Sequence, residues 1–127
     1  LMATTSKRTS GGRGQHRREP DPLAAKVGAR VRQLRKEKKF SFDELVAETD
    51  LGRGYVSELE RGLVVPTIAA LARVAAALEI PVLDLVTFPA ESARQEAVDL
   101  LRHAPAAQVR ALIRDLKSFL APRPKRG

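Results

Sequence analysis

The sequence has no cysteine and no tryptophan, and only one tyrosine, four phenylalanines and two histidines among 127 residues. Without cysteine there are no disulfides, thiolate metal sites or thiol nucleophiles. His16 and His103 lie far apart in the chain, so no histidine-built catalytic or metal centre is expected. His103 falls at the end of a candidate helix, where a cation complements the macrodipole. With so few aromatics, a core has to be built from Leu, Val and Ala. No apolar run approaches the roughly 18 residues of a membrane span. The first ten residues also lack the apolar stretch of a secretory signal.

What the chain does have is basic charge, 23 Lys and Arg against 15 Asp and Glu. Its distribution says more than its total. Residues 1–20 carry five bases and one acid, residues 21–88 ten of each, and residues 89–127 eight bases and four acids. The excess therefore sits in the two end segments. Within the neutral middle, Arg30, Arg32, Arg35, Lys36, Lys38 and Lys39 cluster with Glu37 as the lone acid among them. Such a cluster binds phosphate or is an ordinary solvated helix face, and charge alone leaves both open.

Residues 2–20 are polar and too poor in apolar side chains to offset chain entropy, so 1–20 reads as a disordered basic arm. Order is expected from Asp21-Pro22, an N-cap followed by proline at the first helical position. Leu23, Val27, Val31 and Leu34 then form one helical stripe. Ser41 with Glu44 three residues on is a capping box, flanked by Phe40 and Leu45. It opens a short helix over about 42–49 that buries Leu45, Val46 and Thr49. Asp50-Leu51-Gly52 turns the chain into a third helix, about 53–61, burying Val56 and Leu59, with Gly62 just past its end. Thr67 caps a fourth helix (68–79) bearing Leu71, Val74, Ala75 and Leu78. Pro81 opens a short fifth carrying Val82, Leu83, Leu85 and Val86. Phe88-Pro89 marks a boundary, and no strand-like alternation appears anywhere.

Two helices follow, Ala93–Ala104 and, after Pro105, a helix ending near Leu120. The last carries Val109, Leu112, Ile113, Leu116, Phe119 and Leu120 on one stripe. Residues 106–120 as a helix span about 22 Å. The stripe either folds back within the chain or meets a second copy. Residues 121–127 form a loose basic tail. The organisation is thus an arm (1–20), a helical domain (21–88), a C-terminal helical region (89–120) and a tail.

Two short helices joined by a tight turn behind a basic helix are the plan of a helix-turn-helix. Residues 27–86 closely resemble the lambda-repressor-like, or Xre-type, family. The resemblance rests on Gly28 with Arg30, Arg32 and Arg35, Ser41 with Leu45, Val56-Ser57 before Glu60-Arg61-Gly62, Pro66-Thr67 with Leu71, and Leu78 with Pro81. It implies an all-α fold: a five-helix DNA-binding domain followed by two C-terminal helices. It implies that the third helix reads base edges through Arg53, Gly54, Ser57 and Glu58, where Arg suits guanine and Glu suits cytosine. Phosphates would be met at Phe42 and Thr67 through helix-start N–H groups, and by Tyr55, Arg61, Lys38 and Lys39. Glu60 would pair with a first-helix arginine, Arg35 or Arg32, as a structural ion pair. The chain departs from the family at Phe42, where glutamine is usual, and at Gly52 and Gly54, where polar residues are usual.

The implied function is a sequence-specific transcriptional regulator that binds double-stranded DNA as a homodimer. Dimerisation is assigned to Val109, Leu112, Ile113, Leu116, Phe119 and Leu120. The alternative is an antitoxin- or adaptor-type module whose C-terminal helices bind a partner protein. An enzyme is not expected, nor any cofactor or metal: there is no nucleotide loop, and Ser57 lies beside acids rather than a base. The expected location is cytoplasmic and nucleoid-associated, with no membrane partner.

Overall fold

Helix α1 (Pro22–Glu37) starts where a carboxylate is placed to start it. Asp21 Oδ2 accepts from Ala24 N at 3.1 Å, and Pro22 takes the first helical position. The computed structural model describes residues 15–16 and 19–124. α2 (Phe42–Thr49) carries the full capping box. Ser41 Oγ accepts from Glu44 N at 3.0 Å, and Glu44 Oε1 accepts from Ser41 N at 2.7 Å. α2 ends on Asp50, left-handed at φ 56°, and α3 (Arg53–Glu60) begins two residues after Leu51. α4 (Ile68–Leu78) is capped by Thr67, whose Oγ1 accepts from Ala70 N at 3.0 Å. α5 (Val82–Leu85) follows Pro81. α6 (Ala93–Leu101) and α7 (Ala106–Leu120) complete the order.

The fold is essentially all-α. Among the described residues, its one departure is a two-residue antiparallel pairing of β1 (Gln15–His16) with β2 (Val64–Val65). Gln15 and His16 belong to the segment read as a disordered arm, so a strand pairing there differs from that reading. Two residues are too few to show alternation in sequence. The rest of that arm, and residues 125–127 of the tail, lie outside the described residues.

The chain divides into two compact units, residues 1–88 and 89–127. The first has an aliphatic core with Leu34, Leu45, Leu59, Leu78 and Leu85 almost fully buried, alongside Val31, Val56 and Val74. Each such side chain contributes about 1.5–3 kcal/mol relative to exposure. Two expectations change. Leu23 is 59% exposed, and Ala24 takes the inward position with Val27, Val31 and Leu34. The cause is geometric: each step of four residues rotates a stripe by about 40° on a helix of 3.6 residues per turn. Leu83 and Val86 are likewise exposed, and Leu85 alone of α5's leucines is buried.

Close backbone approach sets the crossing of α1 and α3. A Cβ built on Gly28 would stand 2.2 Å from the Leu59 carbonyl oxygen. One at Gly62, which also has φ +76°, would stand 2.6 Å from Ala25 Cα. The second unit is different in kind. Ser92 Oγ accepts from Gln95 N at 3.1 Å to start α6, but no residue of α6 or α7 is buried. α6 stops at Leu101, short of the expected Ala104, in tight turns ahead of Pro105. No helix of the described residues is long and apolar enough to cross a membrane.

Candidate nucleic-acid interface

The N-termini of α2 and α3 lie side by side. Arg53, in the first turn of α3, donates from Nη2 to Asp43 Oδ1 of α2 at 2.6 Å. Its guanidinium carbon stands 5.3 Å from the centre of the Phe42 ring. The Arg35 guanidinium is 6.0 Å from the same ring. Phe42 is half-buried and packs against the core. So the residue that replaces the family's glutamine has exchanged hydrogen bonds for an aromatic platform, worth about 0.5–1 kcal/mol per exposed cation.

Arg35 belongs to a buried ion pair. Glu60 accepts from Arg35 Nε at 2.7 Å and from Nη2 at 3.1 Å, while Arg35 Nη1 donates to the Phe40 carbonyl at 3.1 Å. Of the two arginines considered for Glu60, the structure joins it to Arg35, and Arg32 is exposed. Three donors of one guanidinium therefore tie α1, the α1–α2 turn and α3 together. Arg30 is also buried, with Nε donating to the Asp84 carbonyl at 2.8 Å. The basic cluster of α1 is thus split. Arg30 and Arg35 hold the fold, which leaves Arg32, Lys36, Lys38 and Lys39 on the surface.

On α3, Arg53 and Gly54 are exposed and Ser57 and Glu58 half-buried. Arg53 and Ser57 are four residues apart and share a face. A Cβ on Gly54 would meet nothing within 4 Å. Tyr55 differs from its expected role as a phosphate ligand: it is 9% exposed and part of the core cluster. The helix turns its ring inward beside Val56 and Leu59. Arg61 is exposed just past the helix, and Thr67 commits its hydroxyl to the cap of α4. The N–H groups at the starts of α2 and α4 are the positive ends of helix dipoles. Lys39 is exposed at φ 57°. Lys38 is exposed and lines a groove with Phe40, Glu48, Ala77, Leu78 and Glu79.

Two residues were not singled out by sequence reasoning. Arg73 of α4 donates from Nη1 to the Thr49 carbonyl at 3.2 Å and the Asp50 carbonyl at 3.4 Å, fastening the α2–α3 turn. Asp43 looks in sequence like an ordinary first-turn acid. Only the fold brings it to Arg53, ten residues on.

A family model described as a helix-turn-helix domain matches residues 26–86. The HTH-type transcriptional regulator SinR of Bacillus licheniformis is 34% identical over 89 residues, covering 65% of this chain and 80% of that protein. The chain belongs to the lambda-repressor-like helix-turn-helix family. Members of that family are DNA-binding regulators and not enzymes. Two solved structures agree. The restriction-modification controller protein C.AhdI of Aeromonas hydrophila has a TM-score of 0.50 at 32% identity, over 51% of this chain and 98% of that one. The clp gene regulator ClgR of C. glutamicum also has a TM-score of 0.50, at 37% identity over 54% and 87%.

Proposed function

We propose that this chain is a sequence-specific transcriptional regulator that binds double-stranded DNA as a homodimer, with the first turn of α3 in the major groove. The observation that carries this is the Arg53–Ser57 ridge beside the start of α2, with Arg53 and Gly54 exposed and Ser57 half-buried, on a helix whose other face is core. Arg53, Gly54, Ser57 and Glu58 face the bases. Phosphates are met by N–H groups at Phe42 and Thr67 and by Arg61 and Lys39. Lys38 adds a further contact, and the buried Tyr55 ring steadies the helix. A single such ridge touches little of a duplex. Two, held one helical turn of DNA (about 34 Å) apart, make a specific grip. The holding surface is the α7 stripe of Val109, Leu112, Ile113, Leu116, Phe119 and Leu120. Support comes from Phe119 at 83% exposure and from large apolar neighbours uncovered along the same helix.

In vitro selection from random duplexes, with analytical ultracentrifugation of the same sample, tests the reading. The expected results are a two-fold symmetric motif, a dimer, and an affinity that falls steeply with salt. A chain that retains no duplex at low salt overturns it. The same uncovered α7 face favours a second reading, an antitoxin- or adaptor-type module that binds a partner protein. A chain that stays monomeric at every concentration moves the choice toward that reading.

A further inference from the structure

The regulator reading leaves Asp43 without a task. Its side chain is 76% exposed at the front of the proposed reading face, where a bare carboxylate repels a polyanion. An exposed ion pair of this kind adds little to folding. Its effect is instead on Arg53, which is caught from two sides. Asp43 Oδ1 holds Nη2 at 2.6 Å, and the Phe42 ring lies 5.3 Å from the guanidinium carbon. The ring is itself backed by Arg35, 6.0 Å away and fixed on Glu60. A run of neighbouring groups, none more than 6.0 Å from the next, leads from a buried ion pair to an exposed arginine.

We propose that Asp43 is a specificity-determining residue that withholds Arg53 from phosphate and commits it to guanine. This rests on the reading that α3 enters the major groove. An arginine has five N–H donors, and Asp43 occupies one, which leaves enough for the two-bond fork to guanine O6 and N7. The attraction of Arg53 to phosphate is a charge effect, and the neighbouring carboxylate offsets it. The fork depends on geometry, and the Phe42 platform supplies that geometry before DNA arrives, so less rotamer freedom is lost on binding. Asp43 also acts against wrong sites. Where no guanine meets Arg53, its carboxylate faces the DNA's negative field with no base contact in return.

The test uses the full chain, the duplex found by selection, and a random-sequence duplex. The variants are Asp43→Asn, Asp43→Glu and Phe42→Leu, each checked for an unchanged helical circular dichroism spectrum. In Asp43→Asn, Arg53 is released to phosphate. Random duplex should bind several-fold tighter at low salt, with a salt slope steeper by about 0.9, the share of one phosphate. Preference for guanine at one position per half-site should fall about tenfold, within the range of a lost bidentate contact. Asp43→Glu, which keeps the charge, should retain the preference. Phe42→Leu, which keeps an apolar side chain without a π face, should lose several-fold of it. An Asp43→Asn protein with the preference and salt slope of the parent overturns the inference alone. A parent chain that binds no duplex overturns the regulator reading and this inference together.

Discussion

Glu60 closes on Arg35 with both carboxylate oxygens, at 2.7 and 3.1 Å, in a pocket where each side chain is about nine-tenths hidden. The pair joins the last turn of α1 to the last residue of α3. It therefore fixes α3 at the end opposite Arg53. A third bond, from Arg35 Nη1 to the Phe40 carbonyl, links the same guanidinium to the turn before α2.

Removing one partner leaves the other buried and charged. Glu60→Ala should cost about 3–5 kcal/mol. Total stability for a domain of this kind is about 5–15 kcal/mol, so this variant should be near its unfolding threshold. Urea denaturation measures it. A loss below about 1 kcal/mol, the scale of a surface pair, would contradict the buried-pair account.

The glycines of α1 and α3 should respond in opposite directions. Gly28→Ala pushes a methyl to within 2.2 Å of the Leu59 oxygen and should destabilise by about 1–3 kcal/mol or more. Gly54→Ala meets nothing and should stabilise by about 0.5–1 kcal/mol through helix propensity. If Gly54→Ala melts higher yet binds selected DNA more weakly, the backbone there lies against the duplex. Paired melting and binding curves read both effects.

Ser41→Ala removes one half of the capping box on α2. A loss of about 1 kcal/mol is expected from the cap. Because the same turn carries Phe42 and Asp43, specific binding should weaken further than stability does. Denaturant melts and titration of the selected duplex, run on one preparation, check this.

In the second unit, Leu116→Asp puts a charge in the middle of the exposed stripe of α7. The chain should become monomeric by sedimentation while the thermal transition of the first unit is kept. Affinity for the full symmetric site should drop to that of a half-site. A dimer that survives the change places the interface elsewhere.

The helices were legible because their ends are written in single residues. Asp21, the Ser41–Glu44 pair and Thr67 each accept the backbone bond that their position calls for. Periodicity located Val31, Leu45, Val56, Leu59 and Val74 in the core, but it misplaced Leu23. A stripe drifts, and sequence does not say which edge of it the neighbours will cover. Basic residues were the hardest to sort. Arg30 and Arg73 look like solvated charge in sequence, yet each donates to a carbonyl brought near by the fold, while for Arg35 the family resemblance already pointed to Glu60. The Asp43–Arg53 pair joins two helices across a turn, so no local pattern announces it.

Arg73 gives the fold a division of labour. By gripping the carbonyls of Thr49 and Asp50 it makes the bend between α2 and α3 a dependent of α4, which carries none of the candidate base contacts. The turn that leads into α3 is therefore held by a residue outside that helix. The residues at positions 53, 54 and 57 can be exchanged while the angle at which α3 presents them is left to a contact made from α4.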